Sequence, residues 1–82
     1  MSIQFYHDPR GDPKTLLVVN SVGLMRRLYT PFRVRCIVPV EGITKDTLVY
    51  VDAVLGSIQG DVYFLVFEKP YRHIHFQLLI KF

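Results

Sequence analysis

Turn residues cut the second half of this chain into short apolar runs, and the cuts lie too close together for a crossover connection. Residues 48–55 and 62–67 are separated only by Gly56-Ser57-Ile58-Gln59-Gly60-Asp61, and 62–67 and 71–82 only by Glu68-Lys69-Pro70. Parallel neighbours need a connection of about a dozen residues or more, so these runs must pair as an antiparallel meander. Glycines in the first connection suit a hairpin turn. The proline of the second suits a tight turn, where its fixed backbone angle helps.

Periodicity within the runs supports strands. In residues 32–38, Phe32, Val34, Cys36 and Val38 fall on one side and Arg33 and Arg35 on the other, the pattern of a half-buried strand. Residues 48–55 place Val49, Val51, Ala53 and Leu55 on a common face. Val62-Tyr63-Phe64-Leu65-Val66-Phe67 does not alternate, which predicts a strand covered on both sides. Residues 71–82 alternate Ile74, Phe76, Leu78, Ile80 and Phe82 against His73, His75, Gln77 and Lys81. Straight, that run would reach about 40 Å, too long for the wall of a small barrel. It must bend across two sheets or extend to touch something else.

The first third is more ambiguous. Residues 3–6 read as a short strand or arm, and His7-Asp8-Pro9-Arg10-Gly11-Asp12-Pro13 reads as a loop. Paired valines and leucines in residues 15–19 favour a strand. Asp12-Pro13 would equally start a helix, and Val22, Met25 and Tyr29 fall at helical spacing before Thr30-Pro31. The reading adopted is a strand to about Asn20, then a loop or one short helical segment around residues 21–30. Four or five strands in so short a chain must curl to bury their faces. The fold expected is a mainly β, five-stranded, partly open barrel of Src-homology-3-like or oligonucleotide-binding-like architecture. It forms one domain over residues 1–82, with an N-terminal arm and loop in 1–13 and a β-rich core in 14–82.

Half of the 82 residues are hydrophobic. A domain of about 60 residues buries only about 60% of the surface its unfolded chain exposes, so this is more apolar material than a lone globule hides comfortably. The surplus points to a subunit interface or a binding surface, and a homo-oligomer is expected. The longest uninterrupted apolar run, residues 62–67, falls far short of the roughly 20 residues of a membrane span, and no membrane association or signal peptide is expected. The single cysteine, Cys36, cannot form an internal disulfide and fits a reducing, cytoplasmic location.

Catalytic chemistry finds little support. On a strand, His73 and His75 would share a face and could join a metal site with Asp52 or with His7 and Asp8. Zinc needs three or four ligands, however, and only this pair comes with a spacing. Two polar residues on a solvated face is the simpler reading. Cys36 shares its side with apolar residues and reads as a buried, inert thiol. None of Ser2, Ser21 and Ser57 lies in a nucleophile-elbow pattern, and the seven acidic residues are scattered. No enzyme activity, cofactor or metal is expected.

Charge is less evenly spread. Between Pro13 and Val40 there is no acidic residue, while Lys14, Arg26, Arg27, Arg33 and Arg35 give that stretch +5 against +3 for the whole chain. Arg26, Arg27, Tyr29, Arg33 and Arg35 therefore form a candidate nucleic-acid-binding surface, with Tyr50, Tyr71 and His73 as possible additions. Cations would meet phosphates of RNA or single-stranded DNA and rings would stack on bases. The plainer alternative is a solvated basic face whose arginine stems cover apolar surface. The function expected is a non-catalytic binding or assembly domain that self-associates or meets another protein, with nucleic-acid binding through the basic surface as the alternative.

Overall fold

The computed structural model describes residues 4–6 and 12–80, and their architecture is mainly β with antiparallel pairing throughout. Nine strands follow in order: β1 (Gln4–Tyr6), β2 (Thr15–Val19), β3 (Met25–Tyr29), β4 (Phe32–Cys36), β5 (Leu48–Val51), β6 (Ala53–Gly56), β7 (Val62–Val66), β8 (Lys69–Arg72) and β9 (Phe76–Leu78). They form three three-stranded sheets, ordered β1-β2-β3, β5-β4-β9 and β6-β7-β8. Hydrogen bonding does not close these sheets into a barrel. No helix among the described residues is long and apolar enough to cross a membrane.

Two corners join the second and third sheets. Residues 48–55, expected as one strand, break at Asp52. Its N–H donates to the Leu65 carbonyl (2.9 Å) while Ala53 also pairs with Leu65, the two-against-one arrangement of a β-bulge. The extra residue flips the side-chain parity. Val49 and Val51 are buried before it, Ala53 and Val54 are both buried after it, and Leu55 turns outward.

The long C-terminal run is likewise not one strand. It bends across two sheets through a 3-10 turn at His73–His75, with β8 on one side and β9 on the other. Ile37 and Val38 both donate to the His75 carbonyl at 2.8 and 3.2 Å, which anchors this bend to the end of β4. Residues 81–82, at the end of that predicted strand, lie outside the described residues.

Other details of the sequence reading are corrected by local chemistry. The short helical segment anticipated around residues 21–30 is instead a turn followed by β3. Asn20 Oδ1 accepts from the N–H groups of Val22 (3.1 Å) and Leu24 (3.0 Å), and Gly23 sits at φ +87°. This side-chain mimic of a backbone turn, with glycine taking the left-handed position, reverses the chain tightly enough for β3 to pair back on β2. The turn after β7 is made by Phe67 and Glu68, at φ 52° and 64°, and not by Glu68-Lys69-Pro70. Positive φ at both central residues is the two-residue hairpin geometry that matches strand twist. Pro70 lies within β8, an edge strand, opposite Leu65 in a position whose missing N–H no ladder bond requires.

β7 is buried on one face only: Val62, Phe64 and Val66 are inside, while Tyr63 and Leu65 are half-buried. Val38 also departs from its predicted side. β4 ends at Cys36, and Val38 beyond it is exposed.

The core lies between the sheets. Leu16 and Val18 of β2, Phe32, Val34 and Cys36 of β4, and Val62, Phe64 and Val66 of β7 meet in one cluster with Val51, Val54, Phe76 and Leu78. Phe64 is fully buried at its centre, edge-on to Phe32 (ring centroids 5.7 Å) and tilted against Phe76 (6.4 Å). Burying side chains of this size contributes about 1.5–3 kcal/mol each. β2 joins the rest through its core face and through the Val54 N–H, which donates to the Pro13 carbonyl at 2.7 Å.

Candidate functional site

The five candidate residues fall on two strands in two different sheets. Arg26, Arg27 and Tyr29 belong to β3, an edge strand, and Arg33 and Arg35 to β4, the centre of its sheet. Adjacent residues of a strand project to opposite faces. Arg26 stands across from Val18 and shares the face of Leu28, whereas Arg27 and Tyr29 share the face of Leu17 and Thr15. The four guanidinium groups therefore do not form one continuous stripe.

Arg33 and Arg35 do share the outer face of β4, as their alternation predicts, with Phe32, Val34 and Cys36 buried behind them. Their surroundings differ. Arg35 is half-buried and committed within the chain: Nη2 donates to Gln77 Oε1 on β9, and Nε lies 4.0 Å from Asp46 Oδ1. Arg33 is exposed and stands opposite Tyr50 on β5. That pair puts one cation beside one open aromatic ring.

Tyr71 and His73, considered as extensions of the basic surface, are otherwise employed. Tyr71 is buried, and its hydroxyl donates to Glu41 Oε2 (3.2 Å), a carboxylate that also meets Lys69 Nζ at 3.6 Å. Burial, followed by the charge of Glu41, raises the Tyr71 pKa above its ordinary value. His73 and His75 lie on the 3-10 turn and do not share a strand face. Burial, followed by the neighbouring charge of Arg72, lowers the His73 pKa, partly offset by Asp61. The His75 ring packs edge-on against Phe76, with Nδ1 3.1 Å from the Val38 carbonyl. Among the described residues no three His, Cys, Asp or Glu side chains gather to hold a metal. His7 and Asp8 lie outside those residues. Cys36 is buried and its thiol donates to the Val38 carbonyl at 3.4 Å.

The surface also carries uncovered apolar side chains, and sequence reasoning did not locate them. Thirteen large hydrophobic side chains are exposed among the described residues. Four of them, Val22, Leu24, Met25 and Tyr29, lie in the β2–β3 hairpin, with Met25 69% and Tyr29 68% exposed. Ile58 and Phe67 occupy the tips of two other hairpins. The signal the sequence offered for the first group is its turn, Asn20-Ser21-Val22-Gly23, which reverses the chain just ahead of Leu24 and Met25.

The chain matches no protein-family model, no curated protein and no solved structure.

Proposed function

We propose that this chain is a small, non-catalytic assembly domain that works by self-association through its uncovered apolar surface. The observation that supports this most is the concentration of exposed Val22, Leu24, Met25 and Tyr29 on one hairpin. Large apolar side chains left uncovered together on one element of a small domain point to an interaction site. A standard interface takes about 800 Å² from each partner, a modest share of the 5561 Å² this chain exposes. In this reading the bulge at Asp52 and the bend at His73–His75 are the corners of an open, Src-homology-3-like barrel, since sheets packed at a steep angle share strands that switch sheets at bulges or bends. The lone, buried thiol of Cys36 fits a reducing compartment such as the cytoplasm.

Light scattering at tens of micromolar tests the proposal. A dimer or higher closed oligomer that persists in about 1 M salt, where exposed charges are screened within about 3 Å, supports it. A clean monomer at that concentration contradicts it.

A second reading, nucleic-acid binding, is favoured by the Arg33–Tyr50 pair on an open sheet face, where the cation could meet a phosphate and the ring a base. It predicts affinity for single-stranded RNA or DNA that falls steeply with salt and is lost in Arg33→Gln. Indifference to both polymers at low salt would remove this reading.

A further inference from the structure

The outer edge of β3 carries a row of backbone groups that no other strand among the described residues takes up. Asn20 donates to the Leu24 carbonyl (3.0 Å) and Thr30 to the Lys14 carbonyl (2.9 Å), which fixes the alternation of the β2–β3 ladder between them. Val18–Arg26 and Leu16–Leu28 are then the hydrogen-bonded pairs. Val19–Met25, Leu17–Arg27 and Thr15–Tyr29 are the pairs whose peptide groups point outward. The N–H and C=O groups of Met25, Arg27 and Tyr29 thus face away from β2 along the open edge. Natural edges are blunted by proline, bulges or brevity. β8 contains Pro70, whereas β3 runs for five residues with neither proline nor bulge and only its arginines to discourage pairing.

We propose that a second copy of this chain adds to this edge, β3 against β3, antiparallel about a two-fold axis at Leu28. The inference rests on the self-association reading above and names its interface. Symmetry and the outward peptide groups leave three registers with the axis inside Arg26-Arg27-Leu28. An axis at Arg26 sets Arg26 against its own copy, and an axis at Arg27 does the same for Arg27. Like charges directly opposite one another are destabilising.

An axis at Leu28 sets Arg27 opposite Tyr29 of the second copy, twice, and Leu28 beside Leu28. Arg27 and Tyr29 exchange both backbone bonds in each pair. Each guanidinium also lies beside an exposed ring, a favourable cation–π geometry. The strand is complementary to itself because Arg27 and Tyr29 sit two residues apart on one face. Their cross-strand neighbours Leu17 and Thr15 lie on that same face, and the exposed Met25 flanks it. A six-stranded sheet results, continuous through both copies.

Cysteine substitution reads the register directly. Leu28 would oppose its copy in a non-hydrogen-bonded pair with Cα atoms about 4.5 Å apart, within the range a disulfide spans. Leu28→Cys should give a covalent dimer under mild oxidation, Arg26→Cys and Arg27→Cys should give little, and the wild type, with Cys36 buried, should give none. Tyr29→Ala should raise the dimer dissociation constant about ten-fold, through two lost ring contacts. Cross-linking at Arg27→Cys or Arg26→Cys but not at Leu28→Cys overturns the register. A wild-type dimer by light scattering that cross-links at none of the three overturns the β3 edge while leaving self-association standing. A wild-type monomer overturns both.

Discussion

β3 and β4 are neighbouring five-residue strands with two arginines each, Met25-Arg26-Arg27-Leu28-Tyr29 and Phe32-Arg33-Val34-Arg35-Cys36, yet they meet opposite fates. β4 has a strand on either side and buries Phe32, Val34 and Cys36. Among the described residues β3 has a strand on one side only, and four of its five side chains are exposed. The difference lies in arginine spacing. Arginines two apart leave β4 one wholly apolar face, which the core can take. Adjacent arginines put a charge on each face of β3, so neither face can be buried completely by its own chain. Such a strand is left at an edge with apolar side chains uncovered.

Truncations should separate the two strands most sharply. Phe32→Ala removes a ring that packs edge-on against Phe64 and should cost about 3–5 kcal/mol in denaturant unfolding, much of the stability of a domain this size. Tyr29→Ala, followed at concentrations low enough to hold the protein monomeric, should change unfolding by no more than about 0.5 kcal/mol. Comparable losses at the two positions would erase the contrast.

The arginines should differ in the same direction by less. Arg35→Gln forfeits its contacts with Gln77 and Asp46, both partly solvated, and should cost about 0.5–1 kcal/mol, while Arg27→Gln in the monomer should be near neutral. Equal effects in chemical unfolding would mean that Arg35 is no more committed than Arg27.

The smallest effect expected is one of pH, on the β4 side of the molecule. The His73 pKa is lowered in the folded state by burial first and Arg72 second, so the unfolded chain binds the proton more readily. This contribution is complete above the unfolded value of about 6.5 and is lost as pH falls through the lower folded value. His73→Gln should flatten the decline in melting temperature over that window. An unchanged pH profile in the variant would show that His73 contributes nothing to it.

Much of the β4 side was legible in the sequence, because alternation there coincides with burial. Phe32, Val34 and Cys36 against Arg33 and Arg35 follow the pattern directly, and the hairpin over residues 56–61 follows from its two glycines. The corners were less legible. A bulge shifts parity by one residue without changing composition, so Val51, Asp52 and Ala53 look like an ordinary alternation although Val54 is also buried. The 3-10 turn at His73–His75 is concealed in the same way by the regular spacing of Ile74 and Phe76. β3 was misread because Val22, Met25 and Tyr29 satisfy helical spacing, while the decisive contacts come from the single side chain of Asn20. The candidate basic surface was only half legible. Strand parity placed Arg33 and Arg35 correctly, but the contacts that commit Arg35 come from Gln77 and Asp46, far away in sequence.

Amide hydrogen exchange, resolved by residue and measured across a dilution series, tests most directly whether a second copy covers the β3 edge. Arg26 and Leu28, bonded to β2 in every copy, should stay protected at all concentrations. Arg27 and Tyr29, whose N–H groups point outward, should be protected at tens of micromolar and lose that protection on dilution as the dimer dissociates. Free exchange at Arg27 and Tyr29 at every concentration, beside protected Arg26 and Leu28, would contradict the account.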